Sequence, residues 1–324
     1  MKETLPKLQD IERAAERISG VAVRTPLVES PLLSKMSGRK IYLKLECFQP
    51  IKVFKIRGAY NKLSRAREKS VAAVSSGNHG IAVAYCSHLL GKSCTVVVPE
   101  NAVKEKVNTI REYGAEVVKV GTLSTEREAK TREIAAKSGA LFVHPFNDFD
   151  IISGQGTCGL EIVDGLDDFD SVLVPVGGAG LISGISIAIK SQRPKAKIFG
   201  VEPAGAAKLS AALKAGRVTE ISSPSTIADG LRPSSVGTLT FAACSQYLDG
   251  ALTATDDEIM NATKTLINEE RIIAEPSGAA ALAPLLSRSK QDFGEKVVVV
   301  VSGGNISLDL LASILSSGTR PQGR

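Results

Sequence analysis

Tryptophan is absent from the 324-residue sequence, and aromatic residues make up only 4% of it. Because proteins stack single-stranded nucleic acid on aromatic side chains, this scarcity argues against nucleic acid as a partner. The net charge of +6 comes from lysine and arginine residues that are spread among acidic ones and form no blocks. We therefore expect the positive excess to favour small anionic molecules.

Metal-finger spacing, secretory signals and long apolar runs are also missing. The cysteines are odd in number, well separated and without a CxxC pair, which predicts reduced packing residues. They are Cys47, Cys86, Cys94, Cys158 and Cys244. The amphipathic N-terminal stretch from Leu8 to Ile18 has no secretory apolar core, and no run reaches the length of a membrane span. These absences predict a soluble, cytoplasmic protein.

Short β-branched runs alternate with helical patterns from residue 70 onward, which predicts an α/β fold with parallel sheet. The predicted strands are Val71–Val74, Thr95–Val98, Val117–Val120, Leu141–Val143, Val172–Val176, Ile198–Val201 and Val297–Val301. Three of them end in turns rich in glycine, at residues 75–80, 177–181 and 302–305. The exposed N–H groups of such turns favour anions, so three together indicate a ligand site.

In the segment 54–59, FKIRGA, a lysine lies between a strand predicted from the alternating residues 41–46 and a predicted helix. Ala59, Leu63 and Ala66 recur at helical spacing, which places Lys55 in the first helical turn. The helix dipole there favours a neutral, nucleophilic amine. A solvated surface lysine is the alternative that this segment alone leaves open.

The glycine turn at residues 177–181 also fits a nucleotide-binding oxidoreductase or a non-catalytic binding protein. Glu202 ends the next predicted strand, where an acid could bind a ribose. However, the spacing from Gly178 to Gly184 is GxGxxxG, one residue longer than the dinucleotide fingerprint. A terminal phosphate suits the turn at least as well.

Lys55, the glycine turn and Ser302 together suit pyridoxal 5'-phosphate (PLP), which needs an amine, a phosphate cradle and a partner for its ring nitrogen. From Thr25 to Asn305 the chain resembles fold type II PLP enzymes of the serine/threonine dehydratase and serine racemase family, and is most similar to catabolic threonine dehydratases without a regulatory domain. The resemblance implies a tryptophan synthase beta-like fold, with two three-layer α/β/α domains and the cofactor in their cleft. It further implies a homodimer. The large domain would comprise residues 1–46 and 148–324, and the small mobile domain residues 47–147.

The resemblance also implies residue roles. Lys55 would form the Schiff base with PLP, with Phe54 lining the cofactor. Asn78 would hydrogen-bond the ring hydroxyl, and Ser302 would face the ring nitrogen. The phosphate would bind Gly177, Gly178, Ala179, Gly180 and Leu181. The substrate carboxylate would bind Ser75, Ser76, Asn78 and His79.

The residues after Lys55 and Asn78 favour the dehydratase and racemase branch of the family. The related cysteine and threonine synthases carry Lys-Asp and Gly-Asn-Thr at these positions, whereas here Ile56 follows Lys55 and His79 follows Asn78. The implied reaction is ammonia loss from L-threonine or L-serine to give 2-oxobutanoate or pyruvate. A β-hydroxylated acidic amino acid is a third option. Ser302 favours elimination, since a hydroxyl cannot keep the ring nitrogen protonated as a carboxylate would. Ser76 occupies the position of the second acid/base of serine racemases, so the alternative is a serine racemase that also catalyses some elimination. Against this alternative, segments 144–148 and 275–279 resemble the corresponding segments of dehydratases.

Two positions depart from the family pattern. Lys52 and Val53 replace the usual Gly-Ser or His-Ser, and Lys52 could either supply a cation to the phosphate or face solvent. In eukaryotic-type racemases a divalent ion is held by acids at the positions of Glu202 and Lys208 and by a carbonyl at Ala206. A lysine ammonium cannot ligate a metal, so we expect no metal here and an ion pair between Lys208 and Glu202.

Overall fold

The computed structural model describes residues 4–75, 77–121, 124–287 and 292–316. Within these ranges the strands are β1 (Leu27–Glu29), β2 (Lys40–Leu45), β3 (Ser70–Val74), β4 (Ser93–Val98), β5 (Glu116–Lys119), β6 (Leu141–Val143), β7 (Ser171–Pro175), β8 (Lys197–Pro203), β9 (Gly250–Ala254) and β10 (Lys296–Val301). The helices are α1 (Leu8–Ile18), α2 (Pro31–Ser37), α3 (Lys55–Arg65), α4 (Asn78–Leu89), α5 (Lys104–Glu112), α6 (Ser124–Ser138), α7 (Phe149–Gly165), α8 (Gly180–Gln192), α9 (Lys208–Ala215), α10 (Thr238–Tyr247), α11 (Asp256–Asn268), α12 (Pro276–Ala279), α13 (Ala283–Ser287) and α14 (Leu308–Ser316).

The larger sheet has the strand order β1-β2-β10-β7-β8-β9. Only the edge pair of β1 and β2 is antiparallel among its described pairs. The valine run of β10 is buried on both faces, because Val297, Val299 and Val301 join one core cluster while Val298 and Val300 join another. Such continuous apolar runs are typical of central parallel strands that helices cover on both sides.

The smaller sheet has the order β5-β4-β3-β6 and consists of parallel pairs. Its core includes buried residues of α3, α4 and α5, among them Ile56, Val83 and Ile110. The predicted α/β class is therefore confirmed. The smaller sheet's strands span residues 70–143, inside the proposed small domain; the domain boundaries themselves stay a prediction.

Most predicted elements are present, with small differences at their ends. Lys55 is the first residue of α3, as the apolar spacing predicted. The five cysteines are free and buried, which confirms their packing role. The sequence patterns missed β1, which has three residues, and β9, whose residues are mostly half-buried and carry no long β-branched run.

Membrane-spanning helices are not found in the described part of the chain, where each helix is too short or too polar to cross a bilayer. The apolar neighbours Val83, Ala84, Tyr85 and Leu89 predict that His88 packs inside its helix, and this prediction is wrong. His88 is exposed in the last turn of that helix, beside Leu89, which is 48% exposed. The helix is apolar along its length, but its final turn extends beyond the core that its earlier residues cover.

Candidate active site

The loops that follow β3, β7 and β10 converge on the start of α3. Phe54 N donates a hydrogen bond of 3.1 Å to the carbonyl of Ser302, which joins α3 to the end of β10. Lys55 Nζ donates to the carbonyl of Pro145, and the next residue, Phe146, packs on the glycine turn at Gly178. We call this group, formed by Lys55, residues 75 and 77–79, residues 177–181 and Ser302, the cleft site.

Lys55 is held in the cleft without an acidic partner. Its Nζ lies 2.8 Å from Pro145 O and 5.1 Å from the centre of the Phe54 ring. No carboxylate of the described residues forms an ion pair with it, and burial lowers the pKa of its amine from 10.5 to about 8. A lysine with a lowered pKa is a better nucleophile at neutral pH because more of its amine is unprotonated.

The glycine turn begins a helix at the edge of the larger sheet. Ala179 has a φ of +68° and precedes α8, whose first regular hydrogen bond runs from Ser183 N to Ala179 O. The N–H groups before Ser183 therefore have no partner within the helix. A Cβ atom at Gly178 would overlap the Phe146 ring, so the narrow space at this position requires glycine. The turn has the features of an anion cradle.

Ser302 follows β10 and is 5% exposed. Its backbone N donates to Gly278 O at 3.2 Å, whereas its hydroxyl forms no hydrogen bond with the rest of the described chain. A hydroxyl that the described chain leaves without a partner is free to hydrogen-bond a ligand atom.

Asn78 is the first residue of α4, and its side chain has two fixed partners. Its Nδ2 donates to Glu275 Oε1, and its Oδ1 accepts from Asn305 Nδ2 at 2.9 Å. These contacts determine which way the amide faces and leave one N–H of Asn78 for a ligand.

The side chains in the turn after β3 are mostly engaged by the fold itself. Ser75 Oγ accepts from Gly77 N at 2.9 Å and from Gly80 N at 2.7 Å, which shapes the turn. The buried His79 ring donates from Nε2 to Val143 O at 3.1 Å, and burial together with the charge of Lys55 lowers its pKa to about 3. Ser76, the candidate second acid/base, lies outside the described residues.

His144 is also held as a structural group. Its Nδ1 accepts from the backbone N of Phe146 at 3.2 Å and of Asn147 at 2.8 Å, and burial lowers its pKa to about 4. Both His79 and His144 are therefore neutral at pH 7, and each forms hydrogen bonds with backbone atoms through one ring nitrogen. Lys55 is better placed than either to move a proton.

The predicted contact between Lys208 and Glu202 is confirmed. Lys208 Nζ lies 3.7 Å from Glu202 Oε2, both side chains being fully buried. Glu202 also accepts from the backbone N of Leu209 at 2.9 Å and of Ser210 at 2.7 Å. Because this carboxylate is fully buried and engaged by the backbone and by Lys208, it cannot bind a ribose, which removes the main support for the oxidoreductase alternative.

Lys52 faces solvent, which answers the choice left open by the sequence. Its side chain is exposed and its φ is +61°, while its backbone carbonyl accepts from Gly304 N at 2.8 Å, which joins this segment to the turn after β10. Val53 is 1% exposed and bridges to Gly303. Among the residues that the structure describes, no group of three or more His, Cys, Asp or Glu side chains could hold a metal ion.

The sequence patterns missed part of the site. Asn305 donates to Asn78 in the turn after β3, Lys106 donates to Glu275, the partner of that turn, and Asp229 binds Lys106. Lys106 and Asp229 are isolated residues of a helix and of a short 3-10 turn, far apart in the chain, so no local spacing marks them. Only packing the two sheets together brings them to one place.

Comparison with known families decides the chemistry of this site. The model of the family described as pyridoxal-phosphate dependent enzyme matches residues 18–303. The chain belongs to this family. PLP is therefore the cofactor, and the resemblance stated from the sequence motifs is confirmed.

Individual relatives cover nearly the whole chain. An L-threonine ammonia-lyase of Thermotoga maritima is 40% identical over 98% of this chain and 80% of its own. An L-threo-3-hydroxyaspartate ammonia-lyase of Saccharomyces cerevisiae is 35% identical, with 96% of this chain and 97% of its own covered. The solved structure of maize serine racemase superposes with a TM-score of 0.93 at 34% identity, covering 97% of this chain and 98% of that one. The fold is thus the fold type II PLP-dependent fold.

Proposed function

We propose that this protein is a PLP-dependent ammonia-lyase that acts on L-threonine or L-serine. The observation that carries the proposal is Lys55, an amine with a pKa lowered to about 8 that opens into the cleft beside the glycine turn. The net reaction expels the β-hydroxyl as water, takes up one water by hydrolysis and releases a 2-oxo acid and ammonia. L-threonine gives 2-oxobutanoate, and L-serine gives pyruvate.

The described side chains fit PLP. We assign the attachment point to Lys55, the ring face to Phe54 and the ring nitrogen to the unpartnered hydroxyl of Ser302. The remaining N–H of Asn78 suits the ring oxygen. The phosphate cradle is Gly177, Gly178, Ala179, Gly180 and Leu181, where the helix begins at positive φ. The substrate carboxylate is assigned to the turn of Ser75, Ser76, Asn78 and His79.

Bound PLP supplies a conjugated ring that withdraws the electron pair left at the α-carbon. Lys55 removes the α-proton, because the buried amine has no acid partner to hold it protonated. The same lysine can return that proton to the departing β-hydroxyl. Ser302, as a neutral hydroxyl, stabilises less charge on the ring nitrogen than a carboxylate would, and this favours rapid loss of the β-group.

The similarity to serine racemase and to L-threo-3-hydroxyaspartate ammonia-lyase suggests two alternative functions that use the same cofactor. A racemase would need a second acid/base on the face opposite Lys55, for which the sequence offers Ser76. An enzyme for β-hydroxylated acidic amino acids would need a further cationic group in the substrate pocket. Elimination from L-threonine or L-serine is favoured by the 40% identical ammonia-lyase and by the dehydratase-like segment 144–148, in which Phe146 packs against Gly178.

Substrate profiling tests the proposal directly. The purified holoenzyme is incubated separately with L-threonine, L-serine and L-threo-3-hydroxyaspartate, and 2-oxo acid, ammonia and D-amino acid are followed together. We expect rapid formation of 2-oxo acid from L-threonine or L-serine and negligible formation of D-serine. Formation of D-serine at a rate comparable to pyruvate would instead identify a racemase, and oxo acid from hydroxyaspartate alone would reassign the substrate.

Cofactor attachment provides a second test. The holoenzyme should be yellow and should lose its visible absorbance band on borohydride reduction, which fixes PLP to the lysine. Lys55→Ala should abolish the band and the activity. Lys69→Ala, which removes an exposed lysine just beyond α3, is the matched control and should leave both unchanged.

The assembly and domain division are proposed alongside this function. Exposed apolar side chains such as Phe48 and Ile273, which are 51% and 53% exposed, support a homodimer. The separate sheets support a large domain of residues 1–46 plus 148–324 and a small mobile domain of residues 47–147. Sedimentation of the holoenzyme tests the dimer, and limited proteolysis with and without ligand tests the mobility. A cytoplasmic location stays a prediction.

A further inference from the structure

Lys106 connects the two sides of the cleft through a buried ion-pair cluster. It extends from α5, beside the smaller sheet, and is 6% exposed. Its Nζ lies 2.7 Å from Asp229 Oδ2 and 3.1 Å from Glu275 Oε2. Both acids belong to segments packed on the larger sheet, since Asp229 begins a 3-10 turn and Glu275 caps α12.

The same lysine touches the turn assigned to the substrate carboxylate. A Cβ atom at Gly77 would lie 2.5 Å from Lys106 Cδ and 3.6 Å from Nζ, so the lysine stem passes directly against this glycine. Glu275, one of its ion-pair partners, also binds Asn78 in the same turn. The cluster therefore contacts the turn after β3 at two residues, Gly77 and Asn78.

The charges of the cluster explain why a cation is needed. Asp229 and Glu275 together carry two negative charges when ionised, and Ser277, which donates to Asp229 at 3.3 Å, adds none. An anionic carboxylate bound to the adjacent turn would be repelled by both acids in a region of low dielectric. Lys106 forms an ion pair with each acid, and its single positive charge offsets one of the two negative charges.

We propose that Lys106 is a positioning residue for the substrate α-carboxylate. Its ammonium neutralises the acids behind the turn, and its two ion pairs fix the turn against the larger-sheet side of the cleft. This inference rests on the proposed function, which assigns the turn to the amino-acid carboxylate. Lys106 itself does not touch the reacting atoms.

Ligand affinity separates this charge effect from simple structural support. L-alanine, which has no β-hydroxyl to lose, and L-alaninamide, which has no carboxylate charge, are titrated into the holoenzyme while the cofactor absorbance is followed. Lys106→Met should raise the Kd of L-alanine by at least about tenfold and change that of L-alaninamide much less. Lys106→Arg should retain most of the affinity because it keeps the charge.

A second substitution tests the charge balance. Asp229→Asn removes one acid from the cluster, so Lys106→Met/Asp229→Asn should recover a substantial part of the lost L-alanine affinity. Lys104→Met, at an exposed lysine of the same helix, is the control and should match the unmodified protein. If Lys106→Met yields no folded holoenzyme, Lys106→Gln replaces it, since glutamine keeps a hydrogen-bonding group without the charge.

The outcomes are distinct. A Kd for L-alanine within about twofold of that of the unmodified protein, equal weakening of both ligands, or no recovery in the double variant would each overturn the inference. Turnover of L-threonine and L-serine is measured in the same preparations. Normal L-alanine binding without turnover would reject the ammonia-lyase function while the ratio of Kd values still decides the role of Lys106.

Discussion

Lys55 Nζ donates a 2.8 Å hydrogen bond to the carbonyl of Pro145, a neutral acceptor, in place of an ion pair with a carboxylate. A carbonyl satisfies one donor of the ammonium without compensating its charge. Burial therefore dominates and lowers the pKa of this amine to about 8. The relationship also connects the lysine to the residue before Phe146, which packs on the glycine turn.

The pH dependence of cofactor attachment should reflect this pKa. Only the neutral amine attacks the PLP aldehyde, so the rate at which apoenzyme regains PLP should rise with pH up to about 8 and then level off. A lysine with the ordinary pKa of 10.5 would show a rate that still increases beyond pH 9. Stopped-flow absorbance over this pH range makes the measurement, and a continued increase would contradict the assignment.

Gly178→Ala should weaken PLP binding because its Cβ would overlap the Phe146 ring. We expect the Kd of PLP for the apoenzyme to rise by at least about tenfold, which corresponds to about 1.4 kcal/mol of lost binding energy. Fluorescence titration of the apoenzyme measures it. Gly178→Ala/Phe146→Ala should recover affinity by opening the space; failure of this rescue would mean that the glycine is needed for backbone conformation and not for room.

Arg57 lies two residues after Lys55 and is fully buried. Its guanidinium binds Glu46 at 2.7 Å and Glu161 at 2.6 Å, which fixes the first turn of α3 against α7. Arg57→Met would leave both acids without this partner and should lower the free energy of unfolding by about 3–5 kcal/mol. Urea unfolding at pH 7 measures this, with Arg65→Met, at an exposed arginine of the same helix, as the control expected to cost less than about 1 kcal/mol.

Acid stability should depend on the same pair. Burial alone would raise the pKa of Glu46, but the charge and hydrogen bonds of Arg57 lower it from 4.5 to about 2. Because the folded-state pKa is below the unfolded one, this contribution is present above pH 4.5 and is lost as pH falls towards 2. Glu46→Gln should therefore show a smaller loss of stability between these pH values than the unmodified protein, measured by urea unfolding.

Lys208 stabilises the backbone that leads into the glycine turn. Its buried Nζ donates to the carbonyls of Val176, Ala206 and Leu231 at 2.7, 3.0 and 3.0 Å. Lys208→Met should destabilise the fold by about 2–4 kcal/mol, because three carbonyls and the charge of Glu202 lose their partner. It should also weaken PLP binding. Lys214→Met, on the exposed face of the same helix, should do neither, and equal stability of the two variants would reject this role.

The α/β class and much of the cleft site follow from local patterns in the sequence. A helix start at Lys55 follows from the apolar spacing after it, and the strand ends before residues 75, 177 and 302 follow from β-branched runs that stop at glycine. β7 and β10 are neighbours in one parallel sheet, so the meeting of their carboxyl ends was predictable without coordinates. β3 belongs to the smaller sheet, and its turn joins the site only through the packing of the two sheets. The identity of the cofactor followed once an amine, a cradle and a hydroxyl were placed together.

Other features depend on packing between segments that are far apart in the chain. The sequence does not show that Lys106 reaches Asp229 and Glu275, since 123 and 169 residues separate these pairs. It also does not show that His88 is exposed, because exposure depends on where neighbouring elements end. Local spacing determines helices, strands and the turns between them. The partners of a buried charge are determined only by the packing of the two sheets against each other. In that buried region of low dielectric, a charge without a partner would destabilise the fold.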